Sequence, residues 1–116
     1  LLDAACCDPL YRKAIRVSVG ATLKVPFAVG NDAAGLVEML AASGFQQLAL
    51  SPAGASDIRE IPRPERLALF LGTEGEGLPE TLLSRLATAR IAMSPGFDSL
   101  NVAAASAIAL HQFSRY

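Results

Sequence analysis

The strongest constraint on this chain lies in its last quarter. Residues 93–110 read Met-Ser-Pro-Gly-Phe-Asp-Ser-Leu-Asn-Val-Ala-Ala-Ala-Ser-Ala-Ile-Ala-Leu, a turn-rich loop running straight into a helix that is apolar on nearly every side. Pro95 and Gly96 punctuate the loop, and Asp98, Ser99 and Asn101 offer capping oxygens where the helix begins. A helix start carries unpaired N–H groups, so this one is expected to hold a polar or anionic ligand. An alanine-rich helix without a polar face needs cover from its own chain or from a second subunit.

At 116 residues the chain is expected to form one domain with a modest core. Hydrophobic residues make up 52% and the mean hydropathy is +0.37, high for a small soluble monomer, yet no apolar run approaches the roughly 18 residues of a membrane span. A buried oligomer interface accounts for the excess. Net charge is −1 and pI about 5.8, so the global basic signature of a nucleic-acid binder is absent. Arg12, Lys13, Arg16 and Lys24 still form a local basic cluster. Cys6 and Cys7 are adjacent and are the only cysteines, so no disulfide framework is expected, which fits a reducing cytoplasm. With one histidine, His111, and no spaced cysteines, no metal site is expected. His111 sits deep in the final helix and reads as a packing or interface residue. The chain starts at Leu1 with no initiator methionine, which reads as part of a longer protein.

Along the chain, helices and strands alternate. Asp8-Pro9 predicts a helix from Leu10 to about Ser18, with Gly20 near its stop. Residues 24–29 read as a short strand, and Gly30-Asn31-Asp32 as a turn capping a helix from Asp32 to Ser43 that Gly44 closes. Residues 47–51 form a strand ending in the loop 52–56, and 57–66, rich in proline and charge, reads as a surface connection. Leu67-Ala-Leu-Phe-Leu71 is continuously apolar, as expected of a strand buried on both faces of a parallel sheet. A helix from Pro79 to about Ala87 and a strand from Arg90 to Met93 complete the series. The fold class is α/β with a mainly parallel sheet and helices on both faces.

Two loops follow apolar strands, 72–77 and 94–101, and ligands in open α/β sheets sit beyond the carboxyl ends of the strands. The order Gly72-x-x-Gly75-x-Gly77 matches neither the dinucleotide fingerprint nor a P-loop. Glu74 inside this turn either binds a ligand or accepts backbone amides that shape the loop. Ser99 and Asn101 are helix caps in the plain reading, and Asp98 a turn residue. No Ser/His/Asp arrangement is present.

Taken together, Leu71-Gly-Thr-Glu-Gly-Glu-Gly-Leu-Pro79 and Ile91-Ala-Met-Ser-Pro-Gly-Phe-Asp-Ser-Leu-Asn-Val-Ala-Ala-Ala104 resemble motifs 2 and 3 of the SpoU (TrmH-like) branch of the SPOUT RNA methyltransferases. Residues 8–21 and Val25-Pro26 resemble the region after that family's motif 1. The resemblance implies an α/β fold with a C-terminal deep trefoil knot, a homodimer, S-adenosylmethionine as cofactor and methyl transfer to a ribose 2′-OH of rRNA or tRNA. By position it implies that Gly72, Ile91, Met93 and Leu100 hold the cofactor, largely through backbone groups. It further implies that Glu74, Ser99 and Asn101 belong to the active site and that Arg16 turns toward RNA. Motif 1 itself, with the family's leading arginine, is not in the chain. The resemblance therefore implies the C-terminal part of a catalytic domain, residues 1–116, or a remnant that binds cofactor and dimerises without turnover.

Overall fold

A computed structural model describes residues 1–30 and 32–115. Contacts group the chain into two compact units, Leu1–Met39 and Leu40–Tyr116, with the boundary inside one helix.

In the first unit, α1 spans Arg12–Val17 and a 3-10 turn spans Ala21–Leu23. Asp8 acts one turn earlier than a helix cap, its Oδ1 accepting from Leu10 N at 2.8 Å, and α1 starts after Tyr11 without a side-chain cap. The strand expected over residues 24–29 does not form; Val29 makes only an isolated parallel bridge with Leu2. Pro26 in mid-segment lacks the N–H that a ladder needs. Helix α2, Ala33–Ala42, carries the expected caps. Asp32 Oδ1 accepts from Gly35 N at 2.7 Å, and Gly44, at φ 75°, ends the helix as Phe45 N donates back to Leu40 O at 3.0 Å. Asn31, in the turn expected before α2, lies outside the described residues.

The second unit is built on β1 (Gln46–Leu50), β2 (Ser56–Asp57), β3 (Leu67–Phe70) and β4 (Ala87–Arg90). All pairings between these strands are parallel, in the order β2-β4-β1-β3. Strand β1 is central: Leu48 pairs Leu69 on one side and Ala87 on the other, with Leu48 2% and Ala49 0% exposed. Burying a leucine this fully contributes about 1.5–3 kcal/mol.

Strand β3 is not buried on both faces within the chain; it lies at the sheet edge with every residue half-buried, because an apolar run reports hydrophobicity but not position in the sheet. The last strand is Ala87–Arg90, not Arg90–Met93, and α3 before it spans only Glu80–Leu83. Pairing of Leu48–Leu50 with Ala87–Ala89 outweighs the greater hydrophobicity of Ile91-Ala-Met93. The segment after residue 56 is not all surface. Ser56–Asp57 extends the sheet, Ile58 is buried in a 3-10 turn over Ile58–Glu60, and exposure begins with Arg59 and Glu60 and returns at Pro62 and Arg63.

Helix α4, Val102–Phe113, forms as expected, but only Ala109 is buried within the chain. Ile108 is 42% and Leu110 61% exposed, and His111 is exposed as well. Among the described residues, the cover that an all-round apolar helix needs is therefore incomplete. No helix among the described residues is long and apolar enough to cross a membrane.

Candidate functional site

Because β1, β3 and β4 run parallel, their carboxyl ends share one edge, and the loops leaving that edge enclose a cavity of about 420 Å³. The volume lies within the range of small-molecule sites, about 300–1,000 Å³. All its lining residues belong to the second unit.

Leu71 to Gly77, after β3, form the first wall. Thr73 and Gly77 pair across the loop, Gly77 N donating to Thr73 O at 3.0 Å. Gly75 and Gly77 take φ of 92° and 72°, the left-handed region where other residues are strained. A Cβ on Gly72 would stand 2.2 Å from Gly77 C and 2.3 Å from Leu78 N, so only glycine fits there.

The second wall comes from Ile91, Met93, Ser99, Leu100 and Asn101, continued by Val102 and Ala105 of α4. The shift of β4 toward the N-terminus leaves Ile91 and Met93 just past the strand, at the mouth of the crevice rather than in the ladder. Asn101 joins the two walls. Its Oδ1 accepts from Ala103 N at 2.9 Å and Ala104 N at 3.4 Å, which orients its Nδ2 to donate to Glu74 Oε1 at 2.8 Å. Asn101 thus satisfies two of the N–H groups at the start of α4 itself, leaving fewer open donors for the polar or anionic ligand expected there. Glu74 and Glu76 give the cavity a negative lining instead.

Seven residues singled out in the sequence, Gly72, Glu74, Ile91, Met93, Ser99, Leu100 and Asn101, therefore line one cavity. Arg16 belongs to the first unit, exposed in the last turn of α1, as are Arg12, Lys13 and Lys24 around it. The sequence reasoning missed a third wall, Leu50, Ser51 and Pro52 after β1, together with Ala89 beneath it. The signal was available: the same rule about carboxyl ends applies to β1, whose apolar run also ends in a Pro- and Gly-containing loop.

Neither lysine, arginine, histidine nor cysteine is among the residues lining the cavity, and no group of metal-ligating side chains occurs among the described residues.

A profile of the SpoU rRNA Methylase family matches residues 1–111. The chain belongs to the SpoU rRNA methylase family. It is 43% identical over 123 aligned positions to an uncharacterized tRNA/rRNA methyltransferase of Mycobacterium tuberculosis, covering 99% of the chain and 42% of the relative. It is 30% identical to the 23S rRNA (adenosine(1067)-2′-O)-methyltransferase of Streptomyces azureus, over 97% of the chain and 42% of that enzyme. Among solved structures, an AdoMet-bound rRNA methyltransferase from Sinorhizobium meliloti superposes with a TM-score of 0.85 at 32% identity, over 96% of the chain and 43% of its own length. The chain thus spans about 42% of the length of these curated SpoU relatives.

Proposed function

We propose that this SpoU chain is the C-terminal part of the catalytic domain, residues 1–116, of an S-adenosylmethionine-dependent RNA 2′-O-methyltransferase. The observation that carries the reading is the convergence of Gly72, Glu74, Ile91, Met93, Ser99, Leu100 and Asn101 on one cavity.

The residues fit the cofactor's chemistry. Leu50, Leu71, Ile91, Met93 and Leu100 offer apolar surface for a flat base, and Gly72 lets backbone approach closely. Glu74 and Glu76 favour a cation in a site without basic side chains. The bound cofactor supplies a methyl group activated on a sulfonium. Toward the substrate, Ser99 and the Glu74–Asn101 pair would hold the ribose beside the methyl donor, and Glu74 would accept the 2′-hydroxyl proton as the methyl leaves the sulfonium sulfur, which departs as a neutral thioether. Arg16 and its basic neighbours contact phosphates of an rRNA or tRNA substrate.

The same reading includes the trefoil knot at the C-terminal loops, helices on both sheet faces, a cytoplasmic location and a homodimer. The dimer is supported by α4, whose Ile108 and Leu110 remain exposed in the single chain. A second reading, a cofactor-binding remnant without turnover, is favoured by the absence of a basic side chain from the cavity lining.

Calorimetry of the 116-residue chain with S-adenosylmethionine is expected to give binding at one cavity per chain; no binding to a folded protein would overturn the cofactor assignment. Tritiated methyl transfer to rRNA and tRNA is expected to be weak or undetectable with this chain alone. Robust transfer, with the methylated linkage resisting alkali as a 2′-O-methyl group does, would reject the remnant reading.

A further inference from the structure

The third wall of the cavity has a turn of its own, Gly54 N donating to Ser51 O at 2.9 Å and Ala53 N to Ser51 Oγ at 3.3 Å, and is tied from outside by β4. Ser51 N donates to Ala89 O at 2.9 Å, and Ala55 N donates to Thr88 Oγ1 at 3.0 Å. Arg90 Nη1 donates to both Gly54 O and Ala55 O, each at 2.9 Å. Gly54 is buried against Ala89, and a Cβ there would stand 2.2 Å from Ala89 C. Three successive residues of β4 therefore grip a loop more than thirty positions earlier in the chain. The same strand leads directly into Ile91 and Met93, so one short segment sets two walls at once.

We propose that Arg90 is a positioning residue for cofactor binding: its guanidinium clamps the carbonyls of Gly54 and Ala55 and thereby fixes the Leu50-Ser51-Pro52 wall at the width the ligand needs. A charged donor satisfying two carbonyls is a stronger tie than a neutral one, and the fixed geometry of guanidinium N–H groups suits two adjacent acceptors. A lysine at this position keeps the charge but presents a single mobile ammonium. Ordering of the loop must then be supplied at the moment of binding, which weakens affinity. Thr88 supports the clamp by accepting from Ala55 N.

The inference rests on the reading of the cavity as the S-adenosylmethionine site, and two measurements separate the two. The 116-residue chain and its Arg90→Lys and Arg90→Met variants are titrated with S-adenosylmethionine by calorimetry, and amide hydrogen exchange is followed at Ala53, Gly54 and Ala55. Affinity is expected to fall about 10-fold in Arg90→Lys and further in Arg90→Met, with faster exchange confined to the loop and thermal midpoints little changed. Exchange in β1 is expected to stay at the wild-type level. Unchanged affinity in both variants would overturn the proposal, as would a loss of affinity that merely follows a general loss of stability across β1 and β4. If the wild-type chain binds no cofactor, the reading of the site fails. The exchange result then still decides the clamp, unchanged loop protection in the variants rejecting it.

Discussion

The loop at 72–77 and the loop at 51–55 border the same cavity and differ in how much of their shape comes from outside. The first is shaped by its own backbone: Gly75 and Gly77 in left-handed conformations, a Thr73–Gly77 bridge, and a Gly72 that leaves no room for a side chain. The second adds to its own Ser51–Gly54 turn a set of ties from β4, through Thr88 and Arg90 side chains and the Ala89 backbone. A self-shaped loop is rigid wherever its glycines are kept. A loop shaped from a distance responds to changes in a strand it is not part of, which makes it the more adjustable wall.

The largest effect is expected from Gly72→Ala. The added methyl must push Gly77 and Leu78 backbone aside, which costs about 1–3 kcal/mol or more, and displacement of the wall is expected to weaken S-adenosylmethionine binding on the order of 100-fold. Urea unfolding and calorimetry measure the two effects; near-wild-type values would remove the backbone-held wall from the account.

Substitutions at Asn101 are next. Asn101→Ala loses the helix cap, about 1 kcal/mol, together with the donor to Glu74. Asn101→Asp keeps a capping oxygen but faces Glu74 with a like charge, so one carboxyl of the pair must take up a proton at higher pH than usual. Binding is expected to weaken about 10-fold in both at pH 7.5, and to recover at pH 5.5 only in Asn101→Asp. Identical pH behaviour in the two variants would separate Glu74 from Asn101 in function.

The smallest effect is expected beyond the adjustable wall, at Asp57. Hydrogen bonds from the Arg59 side chain, then its backbone N–H, lower the Asp57 pKa from 3.8 to about 2. A folded-state pKa below the unfolded one means stability that is present above about pH 4 and is lost as pH falls through 2. Arg59 is 71% exposed, so solvent weakens the pair. The stability gap between wild type and Asp57→Asn, read by urea unfolding, is expected to be constant from pH 5 upward and to shrink between pH 4 and 2. Cofactor binding at neutral pH should not change.

Much of the chain was legible in the residues. The caps of α2 and α4 and the turn glycines follow from local chemistry that needs no partner from elsewhere in the chain. Two boundaries misled because a paired strand is selected by its neighbours: Ala87–Arg90 is less hydrophobic than Ile91–Met93 yet matches the register of β1. In the first unit, residues 24–29 read as a strand but find only the single bridge at Val29.

The sequence by itself determined which backbone positions turn, which helix starts are capped, and that the chain carries the SpoU motifs around Glu74 and Asn101. These depend on steric limits and hydrogen bonds within a few residues. Only the tertiary structure decided that Asn101 donates to Glu74, and that Leu50, Ser51 and Pro52 complete the cavity under the grip of Arg90. Those features depend on contacts between residues 27 to 36 positions apart, and the folded parallel sheet is what brings their ends to one edge.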